Sequence, residues 1–238
     1  MSNYVLVHGA WHGGWCWKRV SPLLRASGHQ VFSPTLTGLG ERAHLISENV
    51  GLETHIKDVL AVLEFEDLRD VVLVGHSFAG MVITGVAEKA AERIAHLVYL
   101  DAFVPENGKS LADYQPPQIW RMFLEKSREE GDGFKLPIVF PLEAFGVTKE
   151  DDVNWVRPML TPHPLKTKSD PVFVSDPNAA RIPRTYIYCS APAVGVFDQF
   201  ADRARQSASW RYVDLATGHD AMVTAPQELA KLLLECAM

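Results

Sequence analysis

The chain has 238 residues, enough to bury one full-sized core, and its 47% hydrophobic and 22% charged content is that of an ordinary globular protein. Net charge is −6 with 23 basic residues scattered along the chain, so there is no basic stripe for nucleic acid and no polybasic patch for a membrane surface. No apolar run approaches a membrane span, and the start of the chain has no charged region followed by a short apolar one. The expectation is a cytoplasmic protein with a small-molecule partner; a homodimer is compatible with the sequence. Cys16, Cys189 and Cys236 are odd in number and far apart, which fits reduced packing residues rather than a disulfide framework.

Tyr4 to His8 reads as a first buried strand running into the glycine-rich, aromatic turn Gly9-Ala10-Trp11-His12-Gly13-Gly14-Trp15-Cys16-Trp17. His8 and His12 lie across a strand end and a loop rather than on one helix face, so no metal is expected there. Lys18 to Ala26 predicts a short helix ending at Gly28, and Gln30 to Pro34 a strand; strand, helix, strand implies a parallel sheet. Thr37 to Arg42 reads as a loop whose Gly38-x-Gly40 is too short for a phosphate cradle. His55 to Phe65, apolar at Ile56, Val59, Leu60 and Leu63, predicts the next helix.

Asp70 to Met81 is the stretch on which the functional reading turns. An apolar, β-branched run leads through Gly75-His76-Ser77-Phe78-Ala79-Gly80 into a helix with Met81, Val82, Val86 and Ala90 on one face. This is the context of a nucleophile elbow, in which a tight strand-to-helix turn exposes a serine oxygen. The second glycine of the G-x-S-x-G pattern is replaced by Ala79, the next smallest side chain. In such a site the residue after the nucleophile and the loop after the first strand each give one backbone N–H to an oxyanion hole, which points to Phe78 and Ala10.

His96 to Asp101 predicts another buried strand. From residue 103 to 182 the alternation of strand and helix stops while prolines and aromatics accumulate, as expected of a cap inserted into a core of residues 1–102 and 183–238. The substrate pocket is expected to draw on Gly9, Trp11, Trp120, Phe123, Trp155 and Met222. Glu125 to Glu130 reads as a solvated helix face. Alternation resumes with a strand at Thr185 to Cys189, a helix from about Phe197, a strand at Trp210 to Leu215, and a last helix from Thr224, whose Thr224-x-x-Gln227 fits a capping box.

His219 follows the last strand, where a general base belongs: imidazole titrates near neutral pH and can take the serine proton and return it to the leaving group. The acid is open. Chain order places it between Ser77 and His219, and the loop after Cys189 offers no carboxylate before Asp198, which also suits a helix start. Asp101, ending the strand beside the elbow strand, is preferred; Asp198 is the runner-up, and Asp220 a distant third.

With these pieces placed, the whole chain resembles the α/β-hydrolase superfamily, and within it the group of plant methylesterases, the salicylate-binding esterase and the hydroxynitrile lyases. His8 to Trp17, Gly75 to Gly80, Ala102-Phe103-Val104-Pro105 and Gly218-His219 carry the resemblance. It implies an α/β fold with a six-stranded, mostly parallel sheet, a small cap, no cofactor and a small-molecule ester substrate. The lyases of this group have a threonine at the position of Gly9 and a lysine directly after the histidine, where this chain has Asp220; an acidic neighbour disfavours cyanide, so the hydrolytic branch is implied. The reading is a serine carboxylesterase acting on a small, largely apolar ester. Its alternatives are a hydroxynitrile-lyase-like or C–C-cleaving enzyme and a non-catalytic receptor on the same fold.

Overall fold

The N-terminal apolar run forms strand β1 (Asn3–Val7), buried at all but its first residue. In the structure, a computed structural model that describes residues 1–237, a 3-10 turn at Gly14–Arg19 and helix α1 (Ser21–Ala26) stand where one helix from Lys18 is expected. Strand β2 (Gln30–Phe32) and helix α2 (Leu52–Phe65) follow. Strand β3 (Val71–His76) is buried at every position, as a strand covered on both faces must be, and helix α3 (Ala79–Ala90) and strand β4 (Ile94–Leu100) come next.

Between β4 and the next core strand the chain forms helix α4 (Pro117–Glu130), strand β5 (Lys135–Leu136), helix α5 (Glu150–Val156), strand β6 (His163–Pro164) and helices α6 (Lys166–Ser169) and α7 (Pro177–Arg181). Antiparallel pairing of β5 with β6 gives this segment its own small sheet. The charged run Glu125 to Glu130 ends α4 and faces mostly outward, with Ser127 turned in. Strand β7 (Arg184–Cys189), helix α8 (Asp198–Gln206), strand β8 (Trp210–Leu215) and helices α9 (Ala221–Thr224) and α10 (Pro226–Leu234) complete the chain. The capping box expected at Thr224 does not form. The residue before a proline is driven out of the helical region, so Ala225 (φ −141°) breaks the helix in two, and Thr224 Oγ1 bonds Thr217 Oγ1 at 2.7 Å instead.

The six core strands pair in the order β2-β1-β3-β4-β7-β8, all parallel. The connection from β1 to β2 runs one way along the sheet, and the connection from β2 to β3 runs back past β1 to its other side. The sheet therefore has a switch point between β1 and β3, and α/β folds bind ligands at the strand ends beside such a point. The segments leaving β1, β3, β4 and β8 at that edge carry Ala10, Ser77, Asp101 and His219. None of the helices among the described residues is long and apolar enough to cross a membrane.

The turn after β3 is pinned to the turn after β4: Ser77 N–H donates to the Leu100 carbonyl and Phe103 N–H to the Ser77 carbonyl, each at 3.1 Å. The approach is so close that a Cβ on Gly80 would lie 1.9 Å from the Phe103 carbonyl oxygen. Gly80→Ala must push two backbones apart, and a loss of about 2 kcal/mol is expected in a urea melt; an unchanged midpoint would contradict this packing.

α6 carries a buried cation. Lys168 is 3% exposed, and its Nζ lies 4.9 Å from the Trp11 ring centre, 5.5 Å from Phe78 and 5.6 Å from Phe123, with no ion pair among the described residues. Burial pushes its ammonium down to about 7, against the pull of the three ring faces towards the charged form. The unfolded chain therefore holds this proton more tightly than the folded one. Stability should rise with pH from about 7 towards the ordinary lysine range, and below that window the cost of the buried charge is fully present. Lys168→Met is expected to raise the melting temperature at about pH 6 and to flatten the rise above it; a lower melting temperature at that pH would mean that the rings more than repay desolvation.

Candidate active site

Ser77 is held at φ +56°, in the left-handed region that a non-glycine residue rarely occupies. Such strain persists only where the surroundings over-determine it, and here the buried β3 and α3 fix the backbone on either side. The result is a partly exposed side chain between fully buried neighbours. Trp11 (φ +65°) and Asp101 (φ +42°) share the same strained region, so the segments that follow β1, β3 and β4 all turn sharply here.

His219 Nδ1–H donates to Asp101 Oδ2 at 2.6 Å. Asp101 is fully buried, and its other oxygen accepts from the Cys189 N–H at 3.3 Å. Burial pushes its carboxyl above the ordinary range, and the His219 and Cys189 hydrogen bonds pull it back. Asp198 is elsewhere: it is exposed at the start of α8 and accepts from the Tyr188 hydroxyl at 2.6 Å. The His219 ring is clamped by Phe197, stacked at 4.8 Å and 13°, and by His76 at 4.4 Å. Burial holds His76 well below the ordinary imidazole range, and its Nε2–H donates to the His219 carbonyl at 3.0 Å. Sequence reasoning missed this positioning contact, since nothing in Gly75-His76-Ser77 shows where the histidine points.

Asp220 is fully buried and does not line the cavity; Oδ2 meets His12 Nε2 at 3.1 Å. Whatever its charge does to a ligand, it does through intervening groups. His76, His219 and Asp220 bring potential metal-ligating atoms within 4.8 Å of one another, yet His76 Nε2 and His219 Nδ1 are already committed to the hydrogen bonds above. His8 is fixed as a neutral ring, Nδ1–H donating to the Gly9 carbonyl and Nε2 accepting from Leu36 N–H, and burial lowers it to about 3.

The amides of Ala10 and Phe78 are buried, and neither donates to a protein acceptor among the described residues. Buried N–H groups are ordinarily paired, so two open ones beside a strained serine are notable. The loop that carries Ala10 is tied down at Trp11, whose N–H donates to His163 Nδ1 at 3.5 Å and whose indole N–H donates to the Leu136 and Pro137 carbonyls at 3.1 Å. Gly9 backs this arrangement without lining the cavity; a Cβ there would lie 2.8 Å from His76 Nδ1 and 3.0 Å from Ser77 Cβ.

Ser77 and His219 open into a cavity of about 340 Å³. Its walls are Trp11, Phe103, Pro116, Ile119, Phe123, Phe140, Ala144, Phe145, Val194, Val196 and Phe197, and Gln115 is the one further polar side chain. No charged side chain among the described residues lines it. Of the residues expected in the pocket, Trp11 and Phe123 are in the wall and Gly9, Trp120, Trp155 and Met222 are not. Trp155 stands over the Arg19 guanidinium at 4.4 Å and against Trp15, Trp120 lines a separate surface depression with Leu124 and Phe134, and Met222 is wholly buried on α9. Composition showed that the 103–182 segment is aromatic; it does not show which rings turn inward.

The model of the alpha/beta hydrolase family matches residues 4–232. The chain is 45% identical to a carbendazim hydrolyzing esterase from Nocardioides sp. (strain SG-4G), with 98% of each chain covered. It is 27% identical to salicylic acid-binding protein 2 of Nicotiana tabacum over 99% of this chain and 96% of that one. An extracellular α/β-hydrolase from a Paenibacillus species, described as sharing structural and functional homology with that tobacco protein, superposes with a TM-score of 0.86 at 26% identity, covering 100% of this chain and 99% of the other. From the parallel sheet, the strained elbow and a family match over nearly its whole length, the chain belongs to the alpha/beta hydrolase family.

Proposed function

We propose that this protein is a serine esterase that cleaves a small, uncharged, largely apolar carboxylic ester through an acyl-enzyme on Ser77. The observation that carries the reading is the 2.6 Å hydrogen bond by which buried Asp101 holds His219 in the cavity that Ser77 also enters. With its Nδ1–H given to Asp101, the neutral ring has its other nitrogen free to accept the serine proton. Ser77 Oγ attacks the ester carbonyl, and the Ala10 and Phe78 amides receive the oxyanion, each worth on the order of 3 kcal/mol of barrier. His219 then gives its proton to the departing alkoxide. In the second half, water loses a proton to the same ring and attacks the acyl carbon, which releases the acid and restores Ser77. These steps need no cofactor.

Two further observations support the substrate class. The wall of aromatic and aliphatic side chains has no counter-ion for a charged ligand, and a 340 Å³ cavity suits a small one. The relative at 45% identity is named an esterase, as are methylesterases of Arabidopsis thaliana such as one 28% identical over 99% of this chain. Residues 103–182 serve in this reading as the cap, since Ile119, Phe123, Phe140 and Phe145 close the cavity over Ser77.

Turnover of short-chain aryl esters tests the assignment of the acid. Asp101→Asn should lower kcat by about four orders of magnitude, because the ring loses its tautomer and the stabilisation of its cation. Asp198→Asn should stay within about threefold of the parent, as expected of an exposed hydrogen bond. A large loss in the Asp198 variant with activity kept in the Asp101 variant would overturn the reading.

A further inference from the structure

His12 differs from the other histidines in what its two nitrogens face. His8 meets one acceptor and one donor, His163 accepts at Nδ1 from the Trp11 N–H, and His55 and His76 each have a bare Nδ1. All four are patterns that a neutral ring satisfies. His12 instead presents Nδ1 to the Ala10 carbonyl at 2.8 Å and Nε2 to Asp220 Oδ2 at 3.1 Å. A carbonyl can only accept, so Nδ1 carries a proton, and an ionised carboxylate can only accept, so with Asp220 charged Nε2 carries one as well.

We infer that His12 and Asp220 form a buried imidazolium–carboxylate pair that acts as a positioning device, locking the loop of the oxyanion donor to the loop of the base. The catalytic consequence rests on the esterase reading above. Both members are sealed from water, at 2% and 0% exposure. At one end the pair grips the carbonyl of Ala10, the residue whose own N–H is the proposed oxyanion donor. At the other it grips the residue next to His219, whose backbone is fixed independently by Asp220 N–H donating to the Phe145 carbonyl at 3.0 Å. The ring of His12 is held flat against Trp15 at 5.4 Å and 23°, so it cannot swing to another partner.

The alternative proton arrangement, a carboxylic acid donating to a neutral ring, leaves the pair uncharged. The surroundings disfavour it. Asp220 Oδ1 has no hydrogen bond, but the His76 Nε2–H lies 3.9 Å away and favours negative charge there. The titratable groups facing the pair are His8 after β1, His76 from β3, His219, and the Cys16 and Cys189 thiols, whose ionisation burial opposes, so none of them is an anion that would discharge it. Burial alone would raise Asp220 and lower His12. The pairing outweighs it in both, bringing Asp220 down to about 2 and holding His12 above the ordinary range.

Breaking a buried pair by removing one charge leaves the other stranded, so loss of either member should displace both loops. Asp220→Asn and His12→Gln should each lower kcat by about a hundredfold, the cost of an ångström-scale misplacement, with KM changed by less than about threefold. The double variant should be no worse than either single one. 15N NMR of the histidine-labelled wild-type protein supplies the readout that does not depend on how the variants fold. His12 should show both nitrogens protonated at about pH 8, where an ordinary imidazole is neutral. A singly protonated His12 at that pH overturns the inference whether or not the protein is active. So does a folded Asp220→Asn protein with unchanged kcat. A wild-type protein that hydrolyses no ester sinks the esterase reading and the catalytic consequence with it, while the NMR signal still reports on the pair.

Discussion

The site depends on one constraint: two buried parallel strands, β3 and β4, end side by side, and their turns must cross at backbone contact distance. Only there do Ser77 N–H and Phe103 N–H find carbonyl partners across the gap, and only a glycine at position 80 lets them meet. Forced into that space, the chain takes left-handed φ at both Ser77 and Asp101. Residues in such conformations cost on the order of 1–3 kcal/mol each, and the fully buried strands and α3 are what hold them there. The strain puts the serine at the cavity and the carboxylate beneath the loop that follows β8. Chemistry at this edge is therefore a consequence of how the core closes.

Around that crossing the polar groups divide into two layers. The Asp101–His219 pair faces the cavity through the open side of the imidazole. Behind it, His8, His12, His76, His163 and Asp220 are all buried, and each joins one loop of the site to another or to the sheet. Buried polar networks of this kind are costly unless satisfied, and here most of their hydrogen bonds end on the backbone of residues 9–11 and 219. The cavity itself is lined almost wholly by apolar and aromatic side chains, and in such surroundings the few polar groups that reach it, Ser77, His219 and Gln115, interact more strongly than they would in water.

Much of this arrangement could be read from the chain because it is written in local pattern. The apolar run ending in Gly75, the small residues around Ser77 and the helical spacing after it specify the strand, turn and helix without reference to anything distant. Strand and helix alternation implied a parallel sheet, and the core strands observed are parallel, although their order in the sheet is not written in the alternation. What could not be read is whatever depends on contact between remote segments. His12 and Asp220 are 208 residues apart, and no spacing rule connects them. Trp120 and Trp155 look like pocket residues by composition, yet which side of a helix faces the cavity depends on how the 103–182 segment folds back. The helix break at Ala225 was signalled by Pro226, a local cue that a capping-box pattern at Thr224 obscured.

Whether Ser77 is an activated nucleophile can be asked without knowing the substrate. The purified protein would be treated with a fluorophosphonate and the adduct located by mass spectrometry, with Ser77→Ala as the control. Modification of Ser77 alone, abolished in the control, is the expected result, since the reagent needs both an ionisable serine and an oxyanion site. Absence of any adduct on the folded protein, or labelling that persists in Ser77→Ala, would mean that the elbow is not armed and would contradict a serine-based mechanism.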